Sequence, residues 1–277
     1  MTAQTTVSGV SAMYDQLSSG LMDSLGGAIH VGYWDEGCDN LDIEAASDLM
    51  TTKVGDRLAI TGSNMRILDI GCGTGQPAVQ ISANYNVNVT GITISKEQVD
   101  IARGRVQSTI PPAKVDIHLA NAMDLPFDDG SFHGAWAIES LCHMHDRRKA
   151  LAHIARVLRP GSRLVIADML LDVESGSPDA EIVGRICGIF QVSGGMLTAA
   201  DYRELLQEAG FDVLDLTNIR KNVLPSSEIM VNRLEQLPET LQDDEAGRQL
   251  RAMAAELRRV NDCPQVAYAL VTAVRRA

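Results

Sequence analysis

The chain has 277 residues, 45% of them hydrophobic and 4% aromatic, which suits one large domain or a domain plus a cap. Its formal charge of −12 leaves only short basic clusters, at Arg147, Arg148 and Lys149 and at Arg258 and Arg259. This excludes the basic stripe of a nucleic-acid binder and argues against anionic membranes. Five cysteines without a C-x-x-C fit a reducing cytosol and provide neither a disulfide framework nor a zinc site.

The opening "MTAQTTVSGVSAMYDQ" lacks the basic and apolar regions of a signal peptide, and no stretch approaches a membrane span. No membrane insertion and a cytoplasmic location are expected. Residues 10–60 alternate short helical patterns with Gly-rich breaks. From there the pattern becomes strand, helix, strand, helix. "MRILDI" reads as a strand and "QPAVQISANY" as a helix, with Pro77 in its first turn. "VNVTGIT" is the second strand. "SKEQVDIARGRVQ" is a helix in which Ser95 and Gln98 have capping-box spacing. "KVDIHLA" and "FHGAWAI" are the third and fourth strands, and "DRRKALAHIARVL" is a helix stopped by Pro160-Gly161. "SRLVIAD", "VLDLTNI" and "QVAYALVTAVRR" complete the strands, with the helix "TAADYRELLQEAGF" after the first of these. This alternation predicts a doubly wound α/β sheet covered on both faces. Two stretches break it, about 171–197 and 220–262. Insertions there would lie over the carboxyl edge of the strands, where such sheets bind ligands.

"ILDIGCGTGQPAVQ", residues 67–80, places Gly71, Gly73 and Gly75 between the first strand and its helix. Glycines there allow a tight turn, close backbone approach to a ligand and close helix packing. The spacing is G-x-G-x-G, and Thr93 stands where a dinucleotide-binding fold would place an acidic residue. Asp69 would repel a pyrophosphate but can pair with an ammonium group. An adenosine ligand that carries an amino acid in place of phosphates is S-adenosylmethionine.

The loop resembles motif I of class I S-adenosylmethionine-dependent methyltransferases. "GITISKEQ", "ANAMDLPFDDGSFHGAWAIESLCHM" and "ARVLRPGSRLVIAD" resemble the later motifs, in order, and "IHVGYW" is similar to an "HFGYW"-type segment of the same group. The nearer relatives implied are sterol and tocopherol C-methyltransferases, cyclopropane synthases and bacterial natural-product O-methyltransferases. The resemblance implies a Rossmann-like, mostly parallel sheet of seven strands with the last antiparallel. It divides the chain into an N-terminal helical lead-in, residues 1–60, and a catalytic domain, residues 61–277, with helical lid insertions.

Carried over residue by residue, Asp69 would meet the methionine ammonium, and Gly71 and Gly73 would bring the backbone against the ligand. Gln76 would reach the carboxylate. Thr93, Ile94 and Gln98 would hold the ribose and the adenine edge, and Asn121, Ala122 and Met123 the adenine. Tyr33, and in one reading Tyr14, would close over the methionine end. The cofactor supplies the electrophile, so an oxygen acceptor needs only positioning and a base. His143 is the first candidate, with Asp168 to orient it or bind the acceptor, and Glu139 and His145 nearby. Cys142 reads as a packing group, and His30, His118, His133 and His153 as structural or exposed. No metal site is expected. O-methylation of a small hydrophobic or glycosylated metabolite leads. C-methylation of an alkene, served by Glu139, Tyr14, Trp34, Trp136 and Phe190, is the alternative. A cyclase on the same scaffold is a further reading, and a monomer or homodimer is expected.

Overall fold

Apolar runs become strands and the amphipathic stretches between them become helices in the computed structural model, which describes residues 30–37, 41–177, 179–236 and 245–277. Helix α1 (Ile43–Arg57) starts at Asp42, whose carboxylate accepts from the Ala45 N–H at 2.8 Å, a cap worth about 1 kcal/mol. Ala46, Met50 and Val54, four residues apart, form its buried stripe. There follow β1 (Arg66–Ile70), α2 (Gln76–Tyr85), β2 (Asn88–Thr93), α3 (Lys96–Ser108), β3 (Val115–Leu119), β4 (Phe132–Ile138), α4 (Arg147–Val157) and β5 (Leu158–Leu171). The rest of the chain forms α5 (Ala180–Ile189), α6 (Ala199–Glu208), β6 (Phe211–Asn218), α7 (Arg220–Glu235), α8 (Glu245–Asp262) and β7 (Val266–Arg275).

The seven strands lie in the order β3-β2-β1-β4-β5-β7-β6. The first five are parallel, and β7 inserts between β5 and β6 antiparallel to both. This is the expected Rossmann-like architecture. The chain winds outward from β1 to β3, then crosses to the other side of β1 for β4. A crevice therefore opens beyond the carboxyl ends of β1 and β4. Alternation along each strand feeds two layers of core. Leu68, Ile70 and Ile166 pack with Leu151 and Ile154 of α4 and Leu206 of α6. Ile67, Trp136 and Val165 pack with Met50 and Val54 of α1 and Ile81 of α2.

One boundary differs from expectation. The fourth helix ends at Val157, before Pro160-Gly161, and Leu158 already belongs to β5, paired with Phe132. Leu158 is needed in the core, so burial ends the helix there. Pro160 and Gly161 then sit in a register shift between Phe132 and Gly134. A missing N–H breaks no ladder bond in such a bulge.

The segments after β5 and β6 carry α5 and the pair α7–α8. Ile186, Val192 and Met196 pack with Cys142 and Val266, while Val231, Ala254 and Leu257 form a smaller cluster. Phe190 touches both. Among the described residues, no helix is long and apolar enough to cross a membrane.

Candidate active site

The loop after β1 is tied down before any ligand is considered. The N–H groups of Gly71 and Cys72 both donate to the Ile92 carbonyl of β2, at 3.0 and 2.8 Å. Gly71 has φ +80, and a Cβ on it would lie 2.4 Å from Ser140 Cβ. Ser140 Oγ in turn donates to the Ile70 carbonyl, so Gly71 lets the first loop nest against the end of β4. Gly75, also at φ +80, brings the start of α2 within 3.0 Å of Ala102 on α3 for an added Cβ. Gly71→Ala is expected to cost about 1–3 kcal/mol through strain and displacement of Ser140. Urea unfolding checks this, and an unchanged midpoint would refute the close approach.

Beyond the ends of β1, β2 and β4 lies a cleft of about 1120 Å³, counting its open mouth. Its walls contain Asp69, Gly71, Gly73, Gln76, Thr93, Ile94, Gln98, Asn121, Ala122 and Met123, and also Glu139 and His143. Thr93 donates its hydroxyl to Gln98 Oε1 at 2.6 Å, and Ser95 Oγ accepts from the Gln98 N–H at 3.2 Å. Gln98 therefore takes part in both the helix cap and the wall. Its amide oxygen faces Thr93, which leaves the NH2 as the donor for a ligand. Asn121 Oδ1 accepts from the Met123 N–H at 2.9 Å, and its second lone pair suits an amine donor. Gln76 Nε2 is already given to Asp48 of α1 at 3.0 Å.

Two buried polar atoms in this wall have no partner among the described residues, Asp69 Oδ2 and Trp136 Nε1. Their residues are cross-strand neighbours on β1 and β4. Burial pushes the Asp69 carboxyl well above the usual carboxylate range. An orphaned buried acceptor costs free energy unless something meets it. The ammonium of an amino acid is such a group, so these residues fit S-adenosylmethionine at its amino-acid end.

Two expected residues are not brought to the cleft. Tyr33 donates its N–H to the Ala46 carbonyl, and its ring lies under Lys53 Nζ at 5.0 Å. Asp168 is 0% exposed and accepts from the Cys142 and Met169 N–H groups at 2.9 and 2.8 Å. It does not sit at the strand mouth, because β5 continues to Leu171, paired with Val266 of β7. Tyr14 lies outside the described residues. Trp34 is buried against Ile43 and Ala46, and Phe190 packs within the insertions; neither is a cleft wall residue.

The end of β4 carries the acid–base groups. Glu139, at φ +46, accepts on Oε1 from the Val31 N–H at 2.8 Å and the Tyr268 hydroxyl at 3.0 Å. Burial pushes its pKa up to about 7; the Val31 bond opposes this, and the Asp168 charge adds to it. The folded protein thus holds a proton that the unfolded chain has lost. Stability from this group falls as pH rises from 4.5 through about 7. Glu139→Gln, which keeps the acceptor for Val31 and Tyr268, is expected to remove a slope on the order of 3 kcal/mol across that range. Urea unfolding of both proteins at several pH values checks it, and equal slopes would contradict the assignment.

Next comes a 3-10 turn, Leu141–His143. His143 Nδ1 lies 3.2 Å from the Gln191 carbonyl, and Ser193 Oγ donates to the His143 carbonyl at 2.9 Å. A carbonyl only accepts, so this contact requires a proton on Nδ1, and in a neutral ring the lone pair is then on Nε2. His145 is exposed at the rim. His30, read from sequence as structural or exposed, is on the cleft wall. Ser47 Oγ and Thr51 Oγ1 of α1 lie 3.3 and 3.5 Å from its Nε2, and burial lowers its pKa. The signal for it was the "IHVGYW" segment itself. Among the described residues, no group of three or more His, Cys, Asp or Glu side chains could hold a metal ion.

An antiparallel strand inserted near the edge of a Rossmann-like sheet, and a carboxylate where a dinucleotide fold would receive phosphate, together define an S-adenosylmethionine-dependent methyltransferase. The comparisons with known proteins agree. A family model described as "Methyltransferase domain" matches residues 68–166. O-methyltransferase resE of Aspergillus sclerotiorum is 45% identical, the match covering 99% of this chain and 100% of that one. O-methyltransferase cnsE of Penicillium expansum is 44% identical, covering 98% and 93%. The crystal structure of the [4+2]-cyclase SpnF superposes with a TM-score of 0.84 at 29% identity, covering 99% of this chain and 97% of that one. The chain belongs to this methyltransferase family and is an enzyme that uses S-adenosylmethionine.

Proposed function

We propose that the enzyme methylates a hydroxyl of a small hydrophobic or glycosylated secondary metabolite, of the kind made in antibiotic biosynthesis, with His143 as the base. The observation that carries this reading is His143 on the cleft wall with its Nδ1 3.2 Å from the Gln191 carbonyl. An Nδ1–H that donates there leaves the lone pair of a neutral ring on Nε2. The relatives named as O-methyltransferases support it.

S-adenosylmethionine, when bound, supplies a methyl group on a sulfonium leaving group. The protein supplies position and a proton acceptor. Asp69 takes the ammonium, Gln98 and Thr93 the ribose, and Asn121 and the backbone beside Ala122 the adenine. His143 accepts the acceptor's proton as the oxygen attacks. Asp168 acts from below as a positioning residue, since its carboxylate holds the Cys142 N–H of the turn that carries His143. The described parts of the segments 171–197 and 220–262 form the lid that selects the acceptor; residues 178 and 237–244 lie outside the described residues. We place the enzyme in the cytoplasm as a monomer or homodimer.

C-methylation stays in view because Glu139 and Trp136 are both wall residues. Catalysis without methyl transfer stays in view because of the likeness to a cyclase. Methyl-labelled S-adenosylmethionine incubated with fractionated metabolite extract separates the three. Label in an O–CH3 group supports the proposal. Label on carbon, or cofactor-dependent conversion without label, overturns it.

A further inference from the structure

We propose that Arg147 is a positioning residue for His143, its buried guanidinium clasping the turn that carries the imidazole to the loop that fixes its tautomer. The inference rests on reading His143 as the base. Arg147 is the first residue of α4 and only 9% exposed. Its Nε donates to Leu141 O at 3.3 Å, and its Nη2 to Cys142 O at 3.1 Å. The same nitrogen reaches Ser193 O at 2.5 Å and Gly195 O at 2.8 Å. All four acceptors are backbone carbonyls, two on the 3-10 turn and two on the loop after α5.

The loop answers with its own bonds. Ser193 N–H donates to Cys142 O at 2.8 Å, Ser193 Oγ to His143 O, and Gln191 O accepts a hydrogen bond from His143 Nδ1–H. Gln191 stands at φ +51, a conformation that persists for a non-glycine residue only when its surroundings over-determine it. A buried charge is costly and adds little net stability. What this one adds is geometry. A planar fork joins two segments at fixed spacing, which the point charge of a lysine does not reproduce. If the loop loosens, the Gln191 carbonyl no longer holds the Nδ1 proton. The imidazole can then carry its proton on Nε2, where no lone pair remains to act as base. The titratable groups around the turn include Asp168 on β5, Glu139, Cys142, His145, Cys187 on α5, Tyr202 on α6 and Tyr268 on β7.

The test uses full-length protein with 15N-labelled histidine rings, bound to S-adenosylhomocysteine. His143 is assigned by its loss in His143→Ala. In wild type, long-range proton–nitrogen spectra should show His143 protonated on Nδ1. In Arg147→Lys, and in the milder Ser193→Ala, the Nε2-protonated tautomer should gain population, with S-adenosylhomocysteine affinity retained. A His143 signal unchanged in both folded variants would overturn the proposal. If Arg147→Lys does not fold, Ser193→Ala decides alone.

Single-turnover transfer to the accepting extract fraction gives the second reading. Arg147→Lys should slow it about tenfold or more, and should add nothing in a His143→Ala background. A further loss in that background would overturn the coupling. A tautomer shift in Arg147→Lys, with His143→Ala as fast as wild type, would leave the clasp standing and sink the base assignment instead.

Discussion

Replacing His143 with alanine is expected to lower the rate of the methyl-transfer step by about 10²–10⁴-fold, the range of a lost general base, and to leave S-adenosylhomocysteine affinity nearly intact. The two effects separate because the residues proposed to hold the cofactor lie elsewhere on the cleft wall. Asp69 is on β1, Gly71 in the loop after it, Thr93 at the end of β2, Gln98 on α3 and Asn121 after β3. His143 sits on the 3-10 turn after β4, with its orientation set by Gln191 and Ser193.

Glu139 is the internal control. Its carboxylate is engaged by Val31 and Tyr268, so Glu139→Gln should change stability with pH more than the rate of an O-methylation. Under C-methylation the ranking inverts. No base is then needed, and the charge of Glu139 near a carbocation would matter more than His143. Single-turnover measurements on the two variants decide between these orders, and a His143→Ala enzyme with wild-type rate would sink the mechanism.

That the residues proposed for the cofactor share one cleft wall was legible because each part is a short contiguous run at the end of a strand. Apolar runs locate the strands, and their carboxyl ends then locate Asp69–Gly75, Thr93–Gln98 and Asn121–Met123 without any long-range information. Asp168 shows the limit of that logic. "SRLVIAD" reads as a strand ending at Asp168, which would put the carboxylate at the mouth. Pairing with β7, some hundred residues later in the chain, extends β5 to Leu171 and buries Asp168 under the turn. Nothing local to the "IAD" segment encodes that extension.

His30 and Tyr33 are placed differently from expectation, for the same reason and in opposite directions. Ser47 and Thr51, one turn apart on α1, lie beside the His30 ring in the cleft wall. Lys53, further along the same helix, covers the Tyr33 ring elsewhere. The choice between two ring-bearing residues three positions apart was made by a helix that neither belongs to. The clasp of Arg147 on Ser193 and Gly195 is of the same kind, since carbonyl acceptors leave no mark in a sequence.

Asp69→Asn is expected to weaken S-adenosylmethionine and S-adenosylhomocysteine binding by about ten- to a hundredfold, the loss of a charge-assisted contact worth about 1.5–3 kcal/mol. The same change should make the ligand-free protein more stable at neutral pH. Asp69 is 2% exposed, its Oδ2 meets no donor among the described residues, and burial holds its carboxyl well above the ordinary value of 3.8. The folded state therefore keeps a proton that the unfolded chain releases, and stability is lost as pH rises above that ordinary value. An asparagine carries no charge to desolvate, so that loss disappears with the carboxylate. Opposite signs in affinity and stability mark a group retained for its ligand and not for the fold. Thermal melts of the ligand-free proteins at pH 7 and calorimetry with S-adenosylhomocysteine measure the two halves. 5′-Methylthioadenosine, which lacks the amino-acid end, provides the control and should bind both proteins alike. Unchanged S-adenosylhomocysteine affinity in a folded Asp69→Asn protein would remove the ammonium from this carboxylate. An equal loss for both ligands would mean that the substitution had disturbed the loop and not a single contact.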